Sequence, residues 1–183
     1  GEADVEEVVA EVMDKFDFDK YDHEIKLNPI EFVLDGFLDA GVTVIAGDRG
    51  VGKSTMLVPL ACTAAGMLPE ENSIRAELHR RVIYITEDEQ QVKNVLYGLR
   101  KHRGLVSNKN LIVVQIRSRM THETVRALLA KLVPANTIAG PHDYPVKPLV
   151  IFDTSNACFE VENENDAAEA GRMMSALKSQ KSP

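Results

Sequence analysis

The chain has 183 residues, 44% of them hydrophobic, with a formal charge of -7, two cysteines and no tryptophan. That length holds one α/β domain with a sizeable core and leaves little room for a second, and the acidic balance excludes a broad basic face that would bind nucleic acid by charge alone. Cys62 and Cys158 lie in apolar stretches and read as core thiols of a reducing compartment; no apolar run is long enough to span a bilayer, and the acidic start does not resemble a signal peptide, so the expected address is the cytoplasm.

From Ala3 to Phe16, Val5, Val8, Val9, Val12, Met13 and Phe16 recur at helical spacing with acids on the other face, which predicts an amphipathic helix. Its apolar stripe needs a partner, either its own domain or a neighbouring subunit. Asp17 to Asn28 is polar and reads as a linker, so the expected organisation is a helix and linker over residues 1–28 and a core over 29–183. Pro29 to Gly41 is a short apolar element, and Val42 to Ile45 is a β-branched strand that ends at Gly47.

A helix is expected from Ser54 to about Gly66, then a polar loop over Pro69 to Arg80 with room for a short helical turn. Arg81 to Thr86 predicts a strand, Glu89 to His102 a helix, Leu111 to Ile116 a strand and His122 to Leu132 a helix. Pro134 to Lys147 reads as a loop, Leu149 to Asp153 as a strand and Ala167 to Ser179 as a closing helix. Strands separated by helices imply a mostly parallel sheet with helices on both faces.

Gly47-Asp48-Arg49-Gly50-Val51-Gly52-Lys53-Ser54, followed by Thr55, fits G-x-x-x-x-G-K-[ST] between a strand and a helix, the context that motif requires. Glycines let successive backbone N–H groups converge on one anion, and the helix adds its positive end. Lys53 would reach the terminal phosphates of a nucleotide and the Ser54 hydroxyl would ligate Mg²⁺. Asp48 is expected to face the protein or a subunit partner, because a carboxylate beside phosphate is repelled.

Ligands of parallel sheets sit beyond the carboxyl ends of the strands. Asp153 ends the apolar run Leu149-Val150-Ile151-Phe152, where a carboxylate can hold Mg²⁺ opposite Ser54. Glu87, first after Val82 to Thr86, is the candidate to orient and deprotonate an attacking water. The alternative reading puts Glu87, Asp88 and Glu89 together in the first turn of a helix, where the dipole favours acids. The five histidines are scattered without metal-ligand spacing, and Lys101, His102, Arg103 and Lys109 form a small basic patch that suits a helix end.

The segments GDRGVGKST, YITED and LVIFDTSNACF resemble the RecA-like P-loop ATPases, and most of all the branch with plasmid-type hexameric replicative helicases and phage primase-helicase domains. The lead-in PIEFVLDGFLDAGVTVIAG is similar to that family's entry to its core. Asp153 is followed by Thr154 and Ser155 rather than by glutamate, unlike the usual AAA+ pattern. The resemblance therefore implies Glu87 as the catalytic carboxylate, Asp153 as the magnesium aspartate, and Lys53 with Ser54 as phosphate and metal contacts, with ATP and Mg²⁺ as cofactors.

The family sheet has a further strand with a polar sensor residue, which would follow Pro183, so the resemblance implies a core truncated before that strand. It also implies a homo-oligomer such as a hexamer, acting on single-stranded DNA through loops mostly outside this chain, with Arg117, Arg119 and Arg172 as arginine-finger candidates. Three functions follow. The first is the ATPase core of a DNA-associated motor such as a helicase. The second is a nucleotide-dependent assembly switch or helicase loader with slow turnover. The third is a small-molecule kinase, which would need the aspartate strand beside the phosphate-loop strand.

Overall fold

The computed structural model describes residues 4–7, 9–10, 26, 31–40, 52–69, 74–153, 158 and 175. Two compact units divide the chain, residues 1–31 and 32–183. In the first, Val5 to Glu7 and Val9 to Ala10 are helical, as the periodicity predicts, and the Asp4 carboxylate accepts from the Glu6 N–H at 3.1 Å. The remainder of the predicted Ala3–Phe16 helix and the linker, Lys26 apart, lie outside the described residues. So do the Val42–Ile45 strand and, except for Ser175, which is helical, the closing helix.

The second unit begins with a hairpin of β1 (Phe32–Leu34) and β2 (Leu38–Asp39), antiparallel about Gly36. There follow α1 (Lys53–Ala64), β3 (Val82–Thr86), α2 (Glu89–Arg103), β4 (Leu111–Gln115) and α3 (His122–Asn136). A two-residue ladder of β5 (Ile138–Ala139) and β6 (Pro145–Val146) precedes β7 (Leu149–Asp153). The described part of the main sheet has the order β4-β3-β7, all parallel. All five residues of β3 are buried, as a central strand covered on both faces requires.

Alternation along β3 sorts the core into two layers. Val82 and Tyr84 point to one face with Leu149 and Ile151, against Val58, Ala61 and Cys62 of α1 and Val92 of α2. Ile83 and Ile85 point to the other with Val150 and Phe152, against Val125 and Leu129 of α3 and against Cys158. Helices therefore cover both faces, as the sequence pattern implies.

Caps fix the helix ends. Asp88 accepts from the Gln91 N–H at 3.0 Å to start α2, and Gly104 closes that helix with φ 70°. The basic run Arg100 to Arg103 lies in the last turn, where cations suit the dipole. Thr121 caps α3 through the Thr124 N–H at 3.2 Å.

Within the Pro69–Arg80 loop, residues 70–73, where there is room for the helical turn, lie outside the described residues. Two expectations change. α3 runs past Leu132 to Asn136 through Pro134, its last turn tied by Asn136 to the Leu132 carbonyl (2.9 Å) and by Thr137 to the Val133 carbonyl (2.7 Å). The Pro134–Lys147 stretch is not all loop, because β5 and β6 pair around a turn in which His142 and Asp143 adopt positive φ.

Candidate functional site at the carboxyl end of the sheet

α1 starts from Gly52, whose φ of 87° is left-handed. An added Cβ there would meet nothing within 4 Å, so what favours glycine is conformation rather than space. Lys53 and Ser54 follow half-buried and Thr55 exposed, in the first turn, where backbone N–H groups and the helix dipole favour an anion. Gly47, Asp48, Arg49, Gly50 and Val51 lie outside the described residues.

Asp153 ends β7 and is 4% exposed. The parallel register sets it opposite Thr86, so its side chain leaves the sheet on the Tyr84 face, the face that α1 covers. The Ser54 hydroxyl donates to Asp153 Oδ2 at 2.6 Å, and the Tyr84 hydroxyl donates to the same oxygen at 2.6 Å. Two short hydroxyl-to-carboxylate bonds are the compensation a carboxylate needs when it is taken out of water. Burial, and then the bond and charge of Asp153, push the Tyr84 phenol well above its ordinary range.

The pair Ser54 and Asp153 presents hard oxygen donors within one ion's reach, the donor type that suits Mg²⁺. Among the described residues no group of three or more His, Cys, Asp or Glu is placed to hold a metal. The donor set therefore fits an ion that takes its remaining ligands from phosphate and water, as Mg²⁺ does at nucleotide sites.

The three acids after β3 separate. Glu87 is exposed in the bend that follows Thr86, Asp88 is the helix cap, and Glu89 is in the first turn of α2, 3.0 Å from Lys93. The Asp88 N–H is itself held by the Thr86 hydroxyl at 3.0 Å, which fixes the exit from the strand. Glu87 is thus the one of the three outside the helix and its cap, just past the end of the strand adjacent to that of Asp153. Burial, then Asp153, then Glu87 push the Cys158 thiol up to about 12.

The sequence-predicted residues Lys53, Ser54, Glu87 and Asp153 therefore lie on three neighbouring segment ends, with the Ser54–Asp153 contact made. Arg117 and Arg119 are exposed beyond the carboxyl end of β4, and Arg172 lies outside the described residues. Tyr84 is the participant that sequence reasoning misses, because a tyrosine inside Val82-Ile83-Tyr84-Ile85 reads as core. The available signal is that a fully buried phenol needs a polar partner. No helix among the described residues is long and apolar enough to cross a membrane.

A family model described as an AAA domain matches residues 7–182. No curated protein and no solved structure matches the chain.

Proposed function

The chain belongs to the AAA domain family, and on that premise we propose that it is the ATP-binding and Mg²⁺-dependent ATP-hydrolysing core of a DNA-associated motor such as a replicative helicase. Membership makes it a P-loop ATPase with a nucleotide-binding core, and the parallel sheet flanked by helices is the α/β RecA-like fold of that superfamily.

The observation that carries the reading is the 2.6 Å bond between Ser54 and Asp153 at the carboxyl end of a parallel sheet. In the proposed site the backbone of Gly47, Asp48, Arg49, Gly50, Val51 and Gly52 cradles the phosphates, with Thr55 on the following turn. Lys53 would meet the terminal phosphates, and Ser54 and Asp153 would hold Mg²⁺, whose chemistry would be to offset the negative charge of the phosphates. Glu87 orients the attacking water and takes its proton; its place just past the end of β3, the strand paired with that of Asp153, supports a base separate from the metal aspartate. Assembly into a ring and contact with single-stranded DNA rest on the family resemblance of the three motifs.

Steady-state ATP hydrolysis with and without single-stranded DNA, with Lys53→Ala as the blank, tests this. Stimulation by the strand supports the motor. Tight binding with turnover that ignores DNA replaces it with a nucleotide-dependent assembly switch or loader.

A further inference from the structure

Three consecutive acids follow β3, and the backbone between the strand and α2 decides which of them stays out of the helix. Both neighbours of Glu87 are anchored. Before it, Thr86 is 2% exposed, stands in register between Gln115 and Asp153, and offers its carbonyl to the Ile116 N–H at 2.9 Å. After it, Asp88 accepts from the Gln91 N–H and opens α2. The Thr86 hydroxyl accepts from the Asp88 N–H at 3.0 Å, which closes a turn around Glu87. Both soft backbone dihedrals of Glu87 lie inside that closed ring, so the bond holds the direction in which its side chain leaves the chain.

The partner of the Asp88 N–H is unusual for a helix start. Asp88 and Gln91 have the spacing of a capping box, in which the side chain of the third helical residue reaches back to the N–H of the cap. Here the Asp88 N–H is bonded to Thr86 instead. The cap is thereby tied backward to the central strand of the described sheet rather than forward to its own helix.

We infer that Thr86 is a positioning residue for Glu87: its buried hydroxyl clamps the Asp88 N–H, and so fixes Glu87 as the carboxylate that faces the attacking water. The inference rests on the reading of Glu87 as the base.

Without the hydroxyl, the Asp88 N–H turns to water or to the Gln91 side chain, and the turn around Glu87 loses its closure. The dipole of α2 then favours drawing Glu87 into the first turn with Asp88 and Glu89. A base displaced by about 1 Å can lose about 10²-fold in rate while the nucleotide still binds, because binding does not use that carboxylate.

Mg²⁺-ATP hydrolysis by the whole chain is compared for wild type, Thr86→Val, Thr86→Ser, Glu87→Gln and the double variant Thr86→Val/Glu87→Gln. Thr86→Val keeps the β-branched shape and removes the acceptor. It is expected to lower kcat about 10- to 100-fold with KM within about twofold, and Thr86→Ser, which keeps the hydroxyl, to stay within about threefold of wild type. In the Glu87→Gln background Thr86→Val should change the rate less than about twofold, since two residues acting through one step are not additive. Losses that multiply in the double variant overturn the inference, because Thr86 then acts on something other than Glu87. So does an undiminished Thr86→Val, or a Thr86→Ser as slow as Thr86→Val. If Glu87→Gln itself hydrolyses at the wild-type rate, the base reading falls and the inference with it; a slow Glu87→Gln beside an undiminished Thr86→Val removes the inference alone.

Should Thr86→Val not fold, amide exchange of the wild-type chain gives a second readout, which needs neither a variant nor turnover. Glu89 is the first residue of α2 and its N–H has no partner within the helix, so it serves as the internal reference. The Asp88 N–H should exchange at least about tenfold more slowly than that of Glu89. Equal exchange shows that no clamp holds Asp88 and overturns the inference.

Discussion

Thr86 and Asp153 stand opposite each other at the ends of two parallel strands, in a register that runs unbroken from Val82 opposite Leu149. A slip of one residue would turn the Asp153 carboxylate to the opposite face, away from Ser54, and bury it against Val125 and Leu129. The register thus decides which face of the sheet receives the carboxylate, and it brings Glu87 out of the sheet at the level of the residue after Asp153.

Glu87→Gln keeps shape and removes the proton acceptor. Turnover should fall by about 10²- to 10⁴-fold, the range that general-base groups contribute, while ATP affinity stays within a few-fold of wild type and the melting temperature is unchanged, because the side chain is exposed. Hydrolysis at the wild-type rate would remove Glu87 from the base role.

Asp88→Ala separates the neighbouring carboxylates. The loss of a helix cap costs about 1 kcal/mol, which for a chain of this size lowers Tm by about 2–4 °C. Specific activity at a temperature well below the melt should hold. A large activity loss without a stability change would move the catalytic assignment from Glu87 to Asp88.

Gly66 and Gly104 both have positive φ, 73° and 70°, but differ in surroundings. A Cβ on Gly66 would lie 2.4 Å from the His79 ring, whereas on Gly104 the nearest atom is a Pro69 carbon at 3.5 Å. Gly104→Ala should cost about 1–2 kcal/mol, the conformational term alone for a Cβ in a left-handed backbone, and Gly66→Ala clearly more in the same denaturant titration. Equal costs would show that the His79 ring moves aside freely.

Burial pushes Cys62 and Cys158 up to about 12 from the ordinary 9.0. A thiol whose folded pKa is raised stays neutral in the fold at a pH where the unfolded chain has already ionised, so its stabilising contribution is complete below pH 9 and is lost as pH rises from 9 toward 12. Unfolding midpoints should be insensitive to the thiols from pH 7 to 9 and decline above that. A thiol-reactive disulfide reagent should leave both cysteines unlabelled in the native protein at pH 8, and fast labelling there would show that the core opens.

The strand Leu149–Asp153 was legible to the residue because an apolar run ending in a carboxylate has one natural boundary. The helix Glu89–Arg103 was legible to within a residue because its start has a cap and its end a glycine. Other features depend on distant partners. Pro134 signals a helix end locally, yet side-chain bonds from Asn136 and Thr137 hold the last turn of α3. The ladder of β5 and β6 is two residues long on each side, too short for any periodicity. Of the site, the chemical types of Lys53, Ser54, Glu87 and Asp153 could be read, and their places at the start of a helix and at the ends of two strands. The bond from Tyr84 to Asp153 could not, because it joins residues 69 apart in sequence.

That separation bears on how the protein reaches its working form. β3 and β4 are joined through α2 as a nearly local unit, whereas β7 reaches β3 only after α3 and the β5–β6 ladder have been traversed. Ser54 and Asp153 are 99 residues apart, a long loop whose closure is slow because its entropy must be spent before the contact forms. Ser54 and Asp153 are thus expected to meet late in folding, and any ligand that needs both is expected to select the folded chain over partly folded copies.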